Sequence, residues 1–173
     1  MFQIFDQPQC RRFLGRDPFT TEAEVKAWFD VLAERTIKLV AIRADIPVGI
    51  GVLVRDAGSR AHVGALSLFV HDRFQRLGIG SSLLQFLMAS SRVYRLQRLE
   101  LSVVCDNEAA LRLYLKSGFR IEGRLIGAFR YGGRFHDAYV MSLLGNELAA
   151  RPPDLEPRRS GAGSGFSRQA QPS

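Results

Sequence analysis

Gln75-Arg76-Leu77-Gly78-Ile79-Gly80-Ser81 stands between an apolar run that ends at Val70 and a helical pattern that begins at Ile79, and its reading decides the fold. Upstream, Ala61 to Val70 has the composition of a β-strand. Downstream, Ile79, Leu83, Leu87 and Ser90 or Ser91 recur at helical spacing to about Tyr94. Arg98 to Cys105 then returns as a strand, with Leu99, Leu101, Val103 and Cys105 on one face and Glu100, Ser102 and Val104 on the other. A strand, helix, strand step of this kind is a right-handed crossover, which sets its two strands parallel. Glycines at the strand-to-helix junction let a ligand approach the backbone, and free N–H groups at a helix start bind phosphate oxygens without any side chain. A Walker loop would end in G-K-[ST], but Gly80 is followed by Ser81 and Ser82; a dinucleotide fingerprint would carry a third glycine where Leu83 stands. Both are disfavoured; a pyrophosphate is the natural guest of such a loop, and a tight turn without a ligand is the alternative reading.

Beyond Cys105, Asp106 and Asn107 are good N-caps for a second helix that stops at Gly118, and Phe119 to Leu144 reads as a long hairpin around Gly132-Gly133. On the N-terminal side, Thr21 and Glu24 form a T-x-x-E capping box ahead of Val25, Trp28, Phe29 and Leu32, a helix expected to run through Arg35. Ile37 to Arg43 and Val48 to Arg55 are β-rich runs joined by the turn-like link Ala44-Asp45-Ile46-Pro47. The expected architecture is α/β: a mixed, mostly antiparallel sheet with one parallel central pair and helices on its faces.

The chain has 173 residues, 46% of them hydrophobic, enough for one core and one domain. Residues 1–148 are expected to hold that domain, and residues 149–173, rich in proline, glycine, serine and arginine, a disordered tail. The longest apolar run falls far short of the roughly 20 residues of a membrane helix, and Met1-Phe2-Gln3-Ile4-Phe5-Asp6 has no basic stretch leading into an apolar one. The expected place is the cytoplasm. Cys10 and Cys105 are too few and too far apart for a zinc motif or a disulfide framework, so no metal is expected. Of the formal +7, Arg151, Arg158, Arg159 and Arg168 against Asp154 and Glu156 give the tail +2 and leave +5 for residues 1–150. That excess suits an anionic ligand; the arginines are scattered and form no stripe of the kind nucleic acid requires.

The loop is Q-x-x-G-x-G, and further on Asn107 to Phe119 spells N-x-x-A-x-x-L-Y-x-x-x-G-F, with Asn107, Ala110, Leu113, Tyr114, Gly118 and Phe119 in register. In order and spacing the pair resembles the two signatures of the GNAT superfamily of N-acetyltransferases. The resemblance implies acetyl-CoA as donor, its pantetheine arm lying where the two parallel strands splay. It assigns backbone groups of Leu68, Phe69 and Val70 to that arm, amides of Arg76, Leu77, Gly78, Ile79, Gly80 and Ser81 to the pyrophosphate, and Asn107 to the arm from the other side. Tyr114 occupies the position from which relatives protonate the departing thiolate, the one catalytic side chain the resemblance supplies. Glu122-Gly123 and Gly133-Arg134-Phe135-His136-Asp137-Ala138-Tyr139-Val140-Met141 are similar to the last hairpin of the branch holding the L-amino acid and phosphinothricin-type acetyltransferases. A small amino acid or related amine is the implied acceptor, with a protein N-terminus or a polyamine as alternatives.

Two departures stand out. Relatives that acetylate protein N-termini carry a glutamate base where Ser102 lies, so Glu100, Asp137 or His136 acting through water, or no base at all, must serve here. Members also open with a strand ahead of the first helix, whereas Gln3 to Pro8 already resembles the end of that helix. The Ile37 to Arg43 strand is therefore expected to have a bare edge, from a start that lies upstream or an edge covered in a homodimer. Outside the enzyme class, an acyl-CoA-binding module would need the glycine loop but not Tyr114, and a nucleic-acid-binding domain rests on charge alone.

Overall fold

The computed structural model describes residues 2–13, 21–30, 33–145 and 166–167. Three short helices lead: α1 (Phe2–Phe5), α2 (Pro8–Phe13) and α3 (Glu22–Asp30). Pro8 does not end a helix but opens one, at a position where a missing N–H costs nothing. At α3 the capping box forms as expected, Glu24 N donating to Thr21 Oγ1 at 3.2 Å and Thr21 N to a Glu24 carboxylate oxygen at 3.3 Å. The helix is described as far as Asp30 and does not run through Arg35 as expected: residues 31–32 lie outside the described residues, and Ala33–Arg35 is a 3-10 turn.

Strands β1 (Thr36–Arg43) and β2 (Ile46–Arg55) form a hairpin whose turn is tighter than the sequence suggests. Ala44 and Asp45 both take positive φ, 48° and 61°, the geometry of a two-residue turn that matches strand twist. β3 (Val63–Val70), α4 (Ile79–Val93) and β4 (Arg98–Val104) are the expected crossover unit, followed by α5 (Glu108–Lys116) and the hairpin β5 (Arg120–Tyr131) and β6 (Arg134–Leu144). The sheet order is β5-β6-β4-β3-β2-β1-β7, with β3 and β4 the parallel pair. β7 is Phe166–Ser167, which pairs antiparallel with Ala41 and Val40 on the outer edge of β1, the edge for which the sequence offered no partner. The rest of the expected tail lies outside the described residues.

One face of the sheet carries Leu53, Leu66, Leu99, Leu101, Met141 and Leu143 against Leu84, Leu87 and Met88 of α4 and Tyr114 of α5. Full burial of each such side chain stabilises by roughly 1.5–3 kcal/mol. Gly49 and Gly51 let α4 lie close to β2: a Cβ on Gly49 would come within 2.9 Å of Ile79 Cγ2, and one on Gly51 within 3.0 Å of Leu87 Cδ1. The opposite face takes Ile4, Phe5, Cys10 and Val25 from the leading helices onto Ile50 and Val52. There Phe5, Trp28 and Phe69 meet edge to face, with centroids 5.1 to 6.3 Å apart.

The feature that makes a site is where the parallel pair ends. β3 and β4 are in register only from Val63/Arg98 through Ala65/Glu100. Past that point β3 stays with β2 as far as Val70 opposite Gly49, while β4 stays with β6 as far as Val104 opposite Ala138. The two strands diverge and leave a gap.

Candidate functional site

The gap is the mouth of a cleft of about 870 Å³, lined from β3 by Ala65 to Val70, from β4 by Glu100 to Val104, and from the two helix starts that follow. Gly78 begins α4 as its N-cap with φ 82°, a left-handed conformation that side chains rarely take. The first N–H groups of a helix have no partner within it, and Arg76, Gly78, Gly80 and Ser81 line the cleft at this end. A Cβ on Gly80 would make ordinary contacts with Leu113 Cδ2 at 3.4 Å and Val70 Cγ2 at 3.8 Å, so the loop lies beside α5. Amides, a positive helix end and arginine together suit a pyrophosphate.

The residues expected for the cofactor do not all present themselves in the same way. Leu68, Phe69, Val70, Arg76, Gly78, Gly80, Ser81 and Asn107 line the cleft. Leu77 is exposed on the outside, and the Ile79 side chain packs with Ala41, Val48 and Leu83, so at these two positions the backbone alone is available. The ring of Phe69 is taken by Phe5 and Trp28, which leaves its backbone for a ligand. Val70 O accepts at 3.4 Å from Cys10 Sγ and from Gln75 Nε2. Asn107 caps α5 through Oδ1, which accepts from Ala110 N at 3.2 Å, and its side-chain nitrogen remains for a second partner. No group of three or more His, Cys, Asp or Glu side chains among the described residues is placed to hold a metal ion.

Tyr114 projects from α5 into the cleft with 6% of its surface exposed, its ring 5.6 Å from that of Phe119. Burial holds its phenol well above the ordinary tyrosine range. The hydroxyl therefore stays protonated at neutral pH, the state a general acid requires.

The three candidate bases, and Glu122 beside them, separate by their partners. Glu100 accepts from Arg60 and from Arg98 Nε at 3.1 Å. Asp137 accepts from Gly127 N at 2.7 Å and from Arg124, and these bonds hold its carboxyl below the usual range. Glu122 is clamped by both terminal nitrogens of Arg98 and by Ser142 Oγ, which hold it down to about 2. His136 differs: its Nδ1 lies 3.2 Å from Asp106 Oδ2 and its ring stacks on Tyr131 at 3.5 Å. Ser102, where relatives have a base, is exposed in the open cleft.

Sequence reasoning did not find Cys10, Ala65, Ser67, Phe129 and Val140 as cleft residues. Alternation alone would have found Ala65 and Ser67, since Ala65 is in register with Glu100 and shares its face with Ser102. Cys10 and Phe129 carry no local signal, because distant elements bring them there. Burial and then the charge of Asp72 push the Cys10 thiol up to about 12, which keeps it protonated and unreactive.

Comparison with known proteins agrees with this arrangement. Residues 4–119 match the model of the acetyltransferase (GNAT) family. The chain is 34% identical over 119 residues to the L-amino acid N-acetyltransferase AaaT of Escherichia coli K12, covering 66% of this chain and 74% of that one. Among solved structures it resembles an acetyltransferase of the GNAT family from Streptococcus pneumoniae, with 31% identity, a TM-score of 0.64, and coverage of 73% of this chain and 77% of that one. A Salmonella typhimurium putative acetyltransferase solved with its cofactor acetyl-CoA shares the fold, with a TM-score of 0.69 at 21% identity over 75% of this chain and 77% of that one. The chain belongs to the GNAT acetyltransferase family and is an N-acetyltransferase. No helix among the described residues is long and apolar enough to cross a membrane.

Proposed function

We propose that this enzyme transfers the acetyl group of acetyl-CoA to the amine of a small amino acid or a related small amine, by direct attack. The observation that carries the reading is that the amide-rich loop, the free edges of β3 and β4 and the buried phenol of Tyr114 line one cleft. Acetyl-CoA supplies an activated thioester. The start of α4 would hold its phosphates, the backbone of Leu68 to Val70 would align the arm, and Tyr114 would donate its proton to the leaving sulfur. α4 and α5 close one side of the cleft, so the acceptor is expected over the other, where Ser67 and Ser102 are exposed.

An amine attacks only when neutral. Of the three candidate bases, Glu100 and Asp137 are held in arginine pairs, and His136, bonded to the cleft residue Asp106 but not itself lining the cleft, would receive the proton through water as the amine adds. The amino-acid acceptor draws support from the relation to the L-amino acid N-acetyltransferase. A polyamine site needs unpaired carboxylates, whereas Glu100, Asp106 and Glu108 in the cleft and Glu122 and Asp137 on the hairpin are each engaged by arginine or histidine.

The test is a thiol-release assay with acetyl-CoA against amino acids, short peptides and spermidine. Release with free amino acids well above that with spermidine or peptides supports the reading. Peptides or spermidine as the best acceptors would replace it.

A further inference from the structure

The β5–β6 hairpin does not lie flat beside the sheet. β5 is two strands away from β4, roughly 10 Å at ordinary strand spacing, yet Phe129 of β5 lines the same cleft as Ala65, Ser67 and Ser102. The hairpin must curl over the acceptor side, and the register shows how. Leu125 pairs with Ala138 and Phe129 with His136, so Ile126, Gly127 and Ala128 stand opposite the single residue Asp137. Such a bulge bends the strand that carries it. Gly127 makes the bend at φ 61°, and Asp137 fastens it, accepting from Gly127 N at 2.7 Å and from Arg124 Nε at 2.9 Å. Beyond the bulge, Phe129 shares the face of Val140, which pairs with Ser102.

The surroundings of Phe129 define what it can select. Val140 and Ala65 are apolar neighbours in the cleft, and Ser67 and Ser102 are neutral. Three carboxylates also line it, and each is partnered: Glu100 by Arg60 and Arg98, Asp106 by His136, and Glu108 by Arg112. We propose that Phe129, carried over the cleft by the 126–128 bulge that Asp137 clamps, is the wall that selects the acceptor's side chain, favouring an apolar one. Asp137 acts as a positioning residue. This inference rests on the amino-acid reading above.

The experiment compares kcat/KM for alanine, leucine, methionine and spermidine in the full-length wild type, Phe129→Ala, Phe129→Leu and Asp137→Asn, with acetyl-CoA KM measured for each. In the wild type, leucine and methionine exceed alanine. Phe129→Ala lowers kcat/KM for leucine and methionine about tenfold through KM, as loss of one apolar wall does, with alanine and acetyl-CoA little changed. Phe129→Leu restores most of the preference, which separates lost contact from misfolding. Asp137→Asn shifts the leucine-to-alanine ratio in the same direction as Phe129→Ala. If amino acids are accepted but Phe129→Ala leaves that ratio unchanged, or slows every acceptor equally, the inference is wrong while the amino-acid reading stands. If the wild type accepts no amino acid, both fall.

Discussion

Replacing Tyr114 with phenylalanine removes one oxygen from the lining of the cleft and leaves the ring in place. The ring packs against Phe119 at 5.6 Å and belongs to the main core cluster, so the variant should fold with a midpoint close to that of the wild type. What is lost is the proposed proton donor for the leaving thiolate. A positioned general acid contributes about a hundredfold or more, equivalent to about 2.7 kcal/mol of transition-state stabilisation. Burial raises the phenol's pKa, so the acid form persists through neutral pH and the alkaline fall in wild-type kcat lies above the ordinary tyrosine value of about 10. The assay is steady-state thiol release with acetyl-CoA and the best acceptor across a pH series, with donor affinity measured separately by titration. The expected result is a kcat at least about a hundredfold lower, an unchanged donor affinity, and no alkaline limb within the range where the protein is folded. Retention of more than about half of wild-type turnover would refute the acid role, leave Tyr114 as a packing residue, and favour a thiolate protonated by solvent.

Gly78→Val places a β-branched residue at φ 82°, which strains the start of α4, and should abolish the rise in thermal midpoint that acetyl-CoA gives the wild type; an unchanged rise would put the phosphates elsewhere. Arg98 and then Ser142 hold Glu122 at about 2 against an ordinary 4.5, so its contribution to stability is present above pH 4.5 and is lost as pH falls towards 2. Glu122→Gln should therefore be slightly less stable at pH 7, by about 1 kcal/mol or less for a solvent-screened pair, and the gap should close in acid unfolding curves below pH 4. We propose that residues 1–148 carry the activity, so a chain ending at residue 150 should keep its turnover. It should lose only the β7 ladder, about 1 kcal/mol or about 2–4 °C in midpoint by scanning calorimetry, and a larger loss would mean that the tail packs more widely.

The sequence made the crossover unit legible because three local signals agreed there: alternation in β4, helical spacing in α4, and glycines between them. Asn107 and Tyr114 were legible through the spacing of α5, and both line the cleft. What escaped was decided by long-range bonds. The change to a 3-10 turn at Ala33–Arg35 is not marked in the helical spacing of Val25, Trp28 and Leu32. The narrow turn at Ala44-Asp45 puts a positive φ on Ala44, which rarely takes one, beside Asp45, which takes one more readily. The bulges of β5 depend on Glu122 meeting Arg98 and Asp137 meeting Gly127, pairings across 24 and 10 residues that no local pattern announces. Asp137 thus reads in sequence as an acid available for chemistry, while the fold uses it and Glu122 to shape the hairpin that borders the proposed acceptor side. The covering of the sheet by α1 and α2, which brings Cys10 to the cleft, was hidden for the same reason.

Direct transfer within the β3–β4 gap is the central claim, and its sharpest rival is a relay through Cys10, whose thiol lies in the same cleft. Intact-protein mass spectrometry distinguishes them. Enzyme is mixed with isotope-labelled acetyl-CoA without acceptor, sampled, and then given the best amine from the acceptor panel. Direct transfer predicts an unmodified protein before the amine is added, in keeping with a Cys10 thiol pushed up to about 12, and label on the amine alone afterwards. A labelled protein that forms without acceptor and passes its acetyl group to the amine would contradict it.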